Sequence, residues 1–238
     1  MATLLSIVQD LCKRQNLPVP ATAYGNTDET VLQIIGLLEE EGDDLSSRHS
    51  WQGLINEASL TTTATEDQGA IDTIATNGFK YIVGETIWDR STSLAVCGPV
   101  TPVKWQALKA LANLGPRYRY RIRGNNLLVT PTPEAGLSWY FEYVSENWIV
   151  NDAGTQWYQR FAYDTDEILL PKNLVLAGLR WRWKKEKGFD YAEDFRTYEM
   201  QVKDAMGRDG GKQTLHMDKQ GKGGPKPGVF VPEGSWNL

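Results

Sequence analysis

The sequence contains very little cysteine and histidine. Only two cysteines, Cys12 and Cys97, and two histidines, His49 and His216, occur in 238 residues. None of the four has a second ligand residue at the short spacings typical of zinc sites, so we expect no metal site. The cysteines also form no CxxC motif, and we expect them to be reduced packing residues of a cytosolic protein.

Long apolar runs are also missing. No stretch approaches the roughly 20 apolar residues that a membrane-spanning helix needs. The first residues lack the basic region and apolar core of a secretion signal. We therefore expect a soluble product made in the cytoplasm, with no membrane partner.

The usual sequence motifs of catalysis are missing as well. The chain has no GxSxG, P-loop, HExxH or dinucleotide-binding fingerprint. Asp164, Asp166 and Glu167 are the only close carboxylates that could serve a hydrolase, for example one that cleaves cell-wall polymer. Such a cluster belongs more often to a capping loop, so we predict that the protein is not an enzyme and needs no cofactor.

The overall charge is acidic. Thirty acidic and 25 basic residues give a formal net charge of -5, which argues against general affinity for nucleic acid. The hydrophobic share of 41% is high enough for most of the chain to fold around a core.

Two amphipathic helices are predicted in the first 50 residues. Residues 3–14 place Leu4, Val8, Leu11 and Cys12 on one face. A longer helix runs from a cap at Thr27 or Asp28 to about residue 49. Its polar face carries four acids typical of a solvated surface: Glu39, Glu40, Asp43 and Asp44.

Two further helices are predicted between residues 173 and 211. The first contains the basic, tryptophan-rich run RWRWKK at residues 180–185 and ends at Gly188, which suits a left-handed cap. On a helix the two tryptophans point about 200° apart. Trp181 is therefore predicted to face the core, and Trp183 a neighbouring element or subunit.

The middle of the chain has the pattern of β-structure. Residues 59–63, 80–89, 93–97 and 137–144 favour strands, residues 66–69 a turn or loop, and residues 102–114 a helix. The clearest strand is residues 117–123, where arginine alternates with apolar residues before a Gly-Asn-Asn turn.

Together these elements predict an α+β protein. We expect residues 1–50 and 166–211 to form a small helical bundle, and residues 51–165 to form a β-rich insertion. We expect residues 212–238 to form an extended, flexible arm.

The arginines of the alternating strand share one face. They are Arg117, Arg119, Arg121 and Arg123. Such a row could contact phosphate, or the acidic surface of a neighbouring subunit or of another partner. The acidic net charge favours a protein partner, so the row and Trp183 are predicted to form a subunit or tail interface.

The arm has the composition of a segment that orders on a partner. Residues 210–238 contain seven glycines and three prolines, too little apolar surface for a core. The arm nevertheless ends in apolar residues, which a merely solubilising tail does not need. The candidate docking residues are Val229, Phe230, Val231, Trp236 and Leu238.

Four strings, in their order along the chain, resemble the head-to-tail adaptor (connector) proteins of tailed bacteriophages. They are residues 43–51 (DDLSSRHSW), 105–109 (WQALK), 118–125 (YRYRIRGN) and 181–191 (WRWKKEKGFDY). The last is the most distinctive. The resemblance covers about residues 4–211.

The resemblance implies a non-enzymatic structural protein of the virion. Family members form a ring, typically of twelve subunits, beneath the portal ring of the capsid. The ring extends the DNA channel for genome retention and ejection, with DNA as passing cargo, and offers a platform for a tail or nozzle protein. The C-terminal segment of such adaptors commonly grips the portal protein, which is the role expected here for residues 212–238.

An alternative interpretation is a nucleic-acid-binding module. It would use the arginine row together with residues 180–185, and it predicts salt-sensitive binding of free DNA or RNA.

Overall fold

The computed structural model describes residues 2–110 and 117–210. Six helices lie within these residues. They are α1 (Leu4–Arg14), α2 (Glu29–Arg48), α3 (Ile71–Ile74), α4 (Pro102–Ala110), α5 (Lys172–Glu186) and α6 (Ala192–Arg208). A single 3-10 turn, Gln52–Leu54, follows α2.

Twelve strands accompany the helices in the described residues. They are β1 (Ala2–Thr3), β2 (Ile55–Thr61), β3 (Asp67–Ala70), β4 (Tyr81–Ile82), β5 (Trp88–Asp89), β6 (Leu94–Ala95), β7 (Arg119–Arg123), β8 (Asn126–Thr130), β9 (Ser138–Val144), β10 (Ile149–Val150), β11 (Trp157–Tyr158) and β12 (Glu167–Ile168). The mixture of helices and antiparallel sheets confirms the predicted α+β class.

The chain divides into two compact units. Of the described residues, the first contains residues 2–56, Thr76–Tyr81 and residues 144–210. The second contains Glu57–Ala75 and Ile82–Tyr143. The predicted insertion covered residues 51–165, whereas residues 144–165 lie in the same unit as the four long helices.

The first unit is built around α5. Helices α1, α2 and α6 all contact it, and both its faces carry buried residues, among them Leu174, Val175 and Leu179. Lys187 donates to Gln33 at 2.7 Å, while Arg182 binds Asp44 at 3.0 Å. Higher numbers in α5 therefore meet lower numbers in α2, which makes these two helices antiparallel.

The helix caps follow the expected chemistry. The Thr3 hydroxyl accepts from the Ser6 amide, and the Asp28 carboxylate accepts from the Thr30 amide at 2.8 Å. These bonds satisfy amides that a first turn leaves without a partner. Gly188 has φ 73° and ends the α5 segment, as its position predicted.

A small sheet completes the first unit. Its strand order is β1-β12-β10-β11, and Ala2 pairs with Ile168. The strands have two residues each, too short to show an alternating pattern, so nothing in the local sequence predicts them.

The second unit contains two sheets. The five-stranded sheet has the order β2-β9-β5-β6, with β4 also paired to β9. The three-stranded sheet has the order β3-β8-β7. The prediction of a turn or loop at residues 66–69 was wrong, because β3 pairs with β8 through Asp67 and Leu128. Strand β3 is irregular. Its register shifts between Asp67 and Ala70, and Gly69 has a positive φ of 102°.

None of the helices among residues 2–110 and 117–210 is long and apolar enough to cross a membrane.

Candidate interaction site

Strand β7 displays the arginine row. Tyr120, between Arg119 and Arg121, is 1% exposed, while the two arginines are half-buried and Arg123 is exposed. Side chains alternate along a strand, so the arginines lie opposite Tyr120. Arg117 precedes the strand and is exposed. The predicted strand is confirmed, with its start two residues later.

The outer edge of β7 is occupied by the segment at Cys97–Val100. Tyr120 donates its amide to the Cys97 carbonyl at 3.0 Å, and its own carbonyl accepts from Val100 at 2.9 Å. A Cβ on Gly98 would lie 2.5 Å from the Tyr120 ring, so this approach needs glycine. Burial raises the pKa of Tyr120 to about 12, and its hydroxyl therefore stays protonated at neutral pH.

A cleft of about 370 Å³ opens between this segment, the start of α4 and β7. Lys104, Arg117 and Arg119 all line it, and Thr101 completes the wall. Helix α4 is held in place by Trp105 and Leu108, which form a buried cluster with Val100 and Leu128. We call the site lined by Lys104, Arg117 and Arg119 the basic cleft.

The basic cleft has no counter-ion among the described residues. No ion pair within 4.0 Å joins Lys104 or any arginine of the row to a carboxylate in the described part of the chain. The neighbouring Lys109, by contrast, pairs with Glu66. Like charges that converge without a counter-ion attract an anionic group, because binding one relieves their mutual repulsion.

A sequence signal for this site exists and was missed. Residues 91–133 contain six lysines and arginines and no acid. Their net charge is therefore +6, which leaves -11 (-5 minus 6) for the rest of the chain. The net charge of -5 hides this local excess.

Three of the four cations of the second basic run, on α5, are paired inside the first unit. Arg180 pairs with Asp194 at 3.1 Å, and Lys184 pairs with the same carboxylate. Arg182 is buried and binds acids of α2. Trp183 is 3% exposed and is stacked under the Lys187 ammonium at 4.5 Å. The sequence predicts that Trp183 faces either a neighbouring element or another subunit. The ring is buried within its own chain, so Trp183 presents no surface to another subunit.

The four acids of α2 are paired with arginines, so the expectation that they form a simply solvated surface was wrong. Arg160 pairs with Asp43 at 2.8 Å and with Glu39 at 3.5 Å. Arg182 pairs with Glu40 and with Asp44. Four acids of α2 therefore bind two arginines that lie more than 100 residues away in the sequence.

The centre of this network is a residue that sequence reasoning missed. Glu41 is fully buried, accepts from Arg182 Nε at 2.7 Å and accepts from the Tyr198 hydroxyl at 2.5 Å. Burial raises the pKa of Glu41 to about 7, against the opposing effect of these two hydrogen bonds. Gly178 makes room for it, because a Cβ there would lie 2.0 Å from Oε1.

The acidic cluster near residue 165 has a structural role. Asp164 accepts from the amides of Ala23 and Tyr24, at 2.9 and 2.6 Å. Asp166 is buried and accepts from the amides of Ala162 and Tyr163. Glu167 lies in β12, opposite Thr3. These two aspartates therefore hold loops.

The described residues hold no group of three or more histidine, cysteine or acidic side chains that could bind a metal ion. Cys12 is buried, as a packing residue would be, whereas Cys97 is exposed. The predicted docking residues of the arm, Val229, Phe230, Val231, Trp236 and Leu238, lie outside the described residues.

No protein-family model matches the chain, and no curated protein does so.

Proposed function

We propose that this protein is a head-to-tail adaptor of a tailed bacteriophage. It would form a ring, with twelve subunits as the expected number, between the portal protein and a tail or nozzle protein. In this role it extends the DNA channel and acts without catalysis or a cofactor. Its place of action would be the virion, after synthesis in the host cytoplasm.

The observation that carries this proposal is a network of ion pairs in the first unit. It joins the string at residues 43–51 to the string at residues 181–191. Residues 43–51 and 181–191 are far apart in sequence. Arg182 of the later string donates to Asp44 of the earlier one at 3.0 Å, and Asp44 also pairs with Arg48 at 2.9 Å. The residues that carry the resemblance therefore hold the helical unit together, and the resemblance implies that this unit builds the ring.

The other two strings belong to the second unit. Residues 105–109 belong to α4, and residues 118–125 contain β7 and its turn. The basic cleft borders them, with Lys104 just before the first string and Arg119 inside the second. Its unpaired cations support the expectation that the arginine row forms an interface with another subunit or a tail protein.

The charge of the chain also suits a conduit. Twelve copies would carry a formal charge of about -60 (12 × -5). A channel of the same sign as DNA does not hold the passing duplex by its phosphates. The arms would supply the grip on the portal, because repeated weak contacts around a ring gain avidity from high effective concentration.

The test is a mass determination of the purified protein, alone and mixed with the portal ring of the same virus. Native mass spectrometry with and without portal measures both states. We expect copies of the chain to add to the portal ring in a fixed number, twelve if the family's usual number holds. A matched sample with an unrelated portal ring controls for non-specific adhesion.

A chain that ignores the cognate portal would remove the adaptor function. In that case the same sample is titrated with short duplex DNA at low and high salt. Salt-sensitive binding would then identify the alternative, a nucleic-acid-binding module.

A further inference from the structure

The second unit carries an exposed acidic surface in addition to the basic cleft. Strand β9 alternates buried Trp139 and Phe141 with outward-facing Tyr140 and Glu142. Trp88 of β5 is the cross-strand partner of Tyr140, so both aromatic rings lie on the outward face of this sheet. Both rings are half-buried.

Three carboxylates surround these rings. A shallow cleft of about 300 Å³ is lined by Trp88 and Tyr140 together with Glu57, Glu85, Glu142 and Arg90. Arg90 pairs with Glu57 and lies over the Tyr140 ring at 3.6 Å. We call this surface the acidic face.

Two of the carboxylates have no cation. Glu85 and Glu142 are exposed, and no ion pair within 4.0 Å joins either to a basic side chain in residues 2–110 and 117–210. The acidic face therefore has a net charge of -2, from three carboxylates and one guanidinium, against +3 for the basic cleft.

The acidic face also has the chemistry that arginine recognises. Carboxylates can accept two hydrogen bonds from one guanidinium, and aromatic rings attract a cation placed over their faces. Arg90 already stacks on Tyr140 in this way. Half-buried aromatic rings surrounded by polar groups are typical of interface anchors.

We propose that the basic cleft of one copy binds the acidic face of a second copy. This inference rests on the proposed ring, because two different, complementary surfaces on each subunit produce the head-to-tail contacts from which rings close. The second copy is favoured over DNA for two reasons. The chain itself carries the complementary surface, and a polyanion would leave the acidic face unpaired.

Two charge-reversed proteins test the contact. In the acid-substituted variant, acids replace two cations of the basic cleft, through Lys104→Glu and Arg117→Glu. In the base-substituted variant, lysines replace two carboxylates of the acidic face, through Glu85→Lys and Glu142→Lys. All four positions are exposed, so the fold should tolerate the changes, and thermal melting checks this. A control with the same change of net charge as the first variant carries Arg196→Glu and Arg208→Glu, at 74% and 81% side-chain exposure.

Each variant alone should lose ring assembly on the portal by about tenfold or more, since like charges then face each other. An equal mixture of the two variants should assemble again, with the variants alternating around the ring. The reason is that each mutated surface meets the oppositely charged surface of the other protein. Native mass spectrometry measures both the number and the identity of the subunits.

Several results would overturn the contact while leaving the adaptor function intact. One is a pair of variants that assemble on the portal like the unmodified protein, and another is a mixture that fails to assemble. A control that loses assembly equally would show an effect of net charge alone. Loss of binding to duplex DNA by the acid-substituted variant, with ring assembly unchanged, would identify the cleft as a phosphate site.

Failure of the adaptor function is recognised separately. If the unmodified chain does not add to the portal, the association of the two variants with each other is measured without portal. Formation of the mixed complex still supports the contact between copies, and its absence overturns it.

Discussion

The guanidinium of Arg182 donates from Nε to the buried Glu41 carboxylate at 2.7 Å, across 141 residues of sequence. Glu41 Oε1 accepts from the Tyr198 hydroxyl at 2.5 Å, so the pair joins helices α2, α5 and α6. Burying a charge is costly, and the two hydrogen bonds to Glu41 offset only part of that cost, because its pKa stays raised. The stability of the helical unit should therefore respond sharply to changes at this pair.

The first prediction concerns pH. The pKa of Glu41 rises from 4.5 in a free side chain to about 7 in the folded protein, because burial disfavours the charged form. The folded state therefore holds this proton more tightly than the unfolded chain does. The associated stability is fully present below pH 4.5 and is lost as pH rises to about 7. Chemical denaturation across this range measures it.

The control is Glu41→Gln, which keeps the volume and does not titrate. We expect the free energy of unfolding of the unmodified protein to fall relative to the variant by about 3 kcal/mol over this range. Parallel pH curves for the two proteins would contradict the raised pKa of Glu41.

The second prediction concerns the room beside Glu41. Gly178→Ala places a Cβ 2.0 Å from Glu41 Oε1, so the carboxylate must leave its two donors. We expect the free energy of unfolding to fall by about 3 kcal/mol, through overpacking and a disrupted ion pair.

Gly36→Ala is the matched control. Gly36 is a glycine of α2, and nothing lies within 4 Å of a Cβ placed there. Alanine should stabilise the helix at this position by up to about 1 kcal/mol. Equal effects of the two substitutions would show that the Glu41 site can rearrange freely.

The third prediction compares a buried arginine with an exposed one. Arg182→Gln leaves the fully buried Glu41 without its cation and should cost about 3–5 kcal/mol of stability. Arg160→Gln removes an arginine whose side chain is 55% exposed, and it should cost less than about 1 kcal/mol. Denaturant unfolding of both variants measures the difference, and similar losses would argue against a special role for the buried pair.

The fourth prediction concerns the arm. A chain that ends at Gly211 keeps every residue of the two described units and should unfold at the temperature of the full chain. It should lose docking on the portal, because an aromatic anchor such as Trp236 can supply about 2–4 kcal/mol per copy when it fills a pocket. Substitution of Trp236 by alanine alone tests the anchor, and normal docking of the shortened chain would refute the role of the arm.

The four long helices, α1, α2, α5 and α6, could be predicted from the sequence because their apolar residues repeat at the period of an α-helix. The four residues of α3 are too few to show that period. The spacing of Leu4, Val8 and Leu11 gave α1, and Asp28 and Gly188 gave a start and a stop. The arginine strand could be predicted because arginine alternates with other residues at the period of a strand. This period of two is unbroken from Arg117 to Arg123.

The partners of these elements could not be predicted, because they depend on contacts between distant residues. Nothing near α2 shows that its acids will meet Arg160 and Arg182. Strand β3 is polar and contains a glycine, and only its pairing with β8 makes it a strand. The basic cleft needs the segment at Cys97–Val100 to return to β7, which no local pattern indicates. Its charge, however, could have been read from the acid-free stretch at residues 91–133.

The division of the chain into two units also has a consequence for synthesis on the ribosome. The strands of both sheets of the second unit lie between Ile55 and Val144, so they can pair before α5 has been made. Glu41 must wait for Arg182, 141 residues later, which takes about 7–28 s at 5–20 residues per second. During that interval the apolar faces of α1 and α2 are uncovered, and the nascent helices offer a binding surface to cellular chaperones.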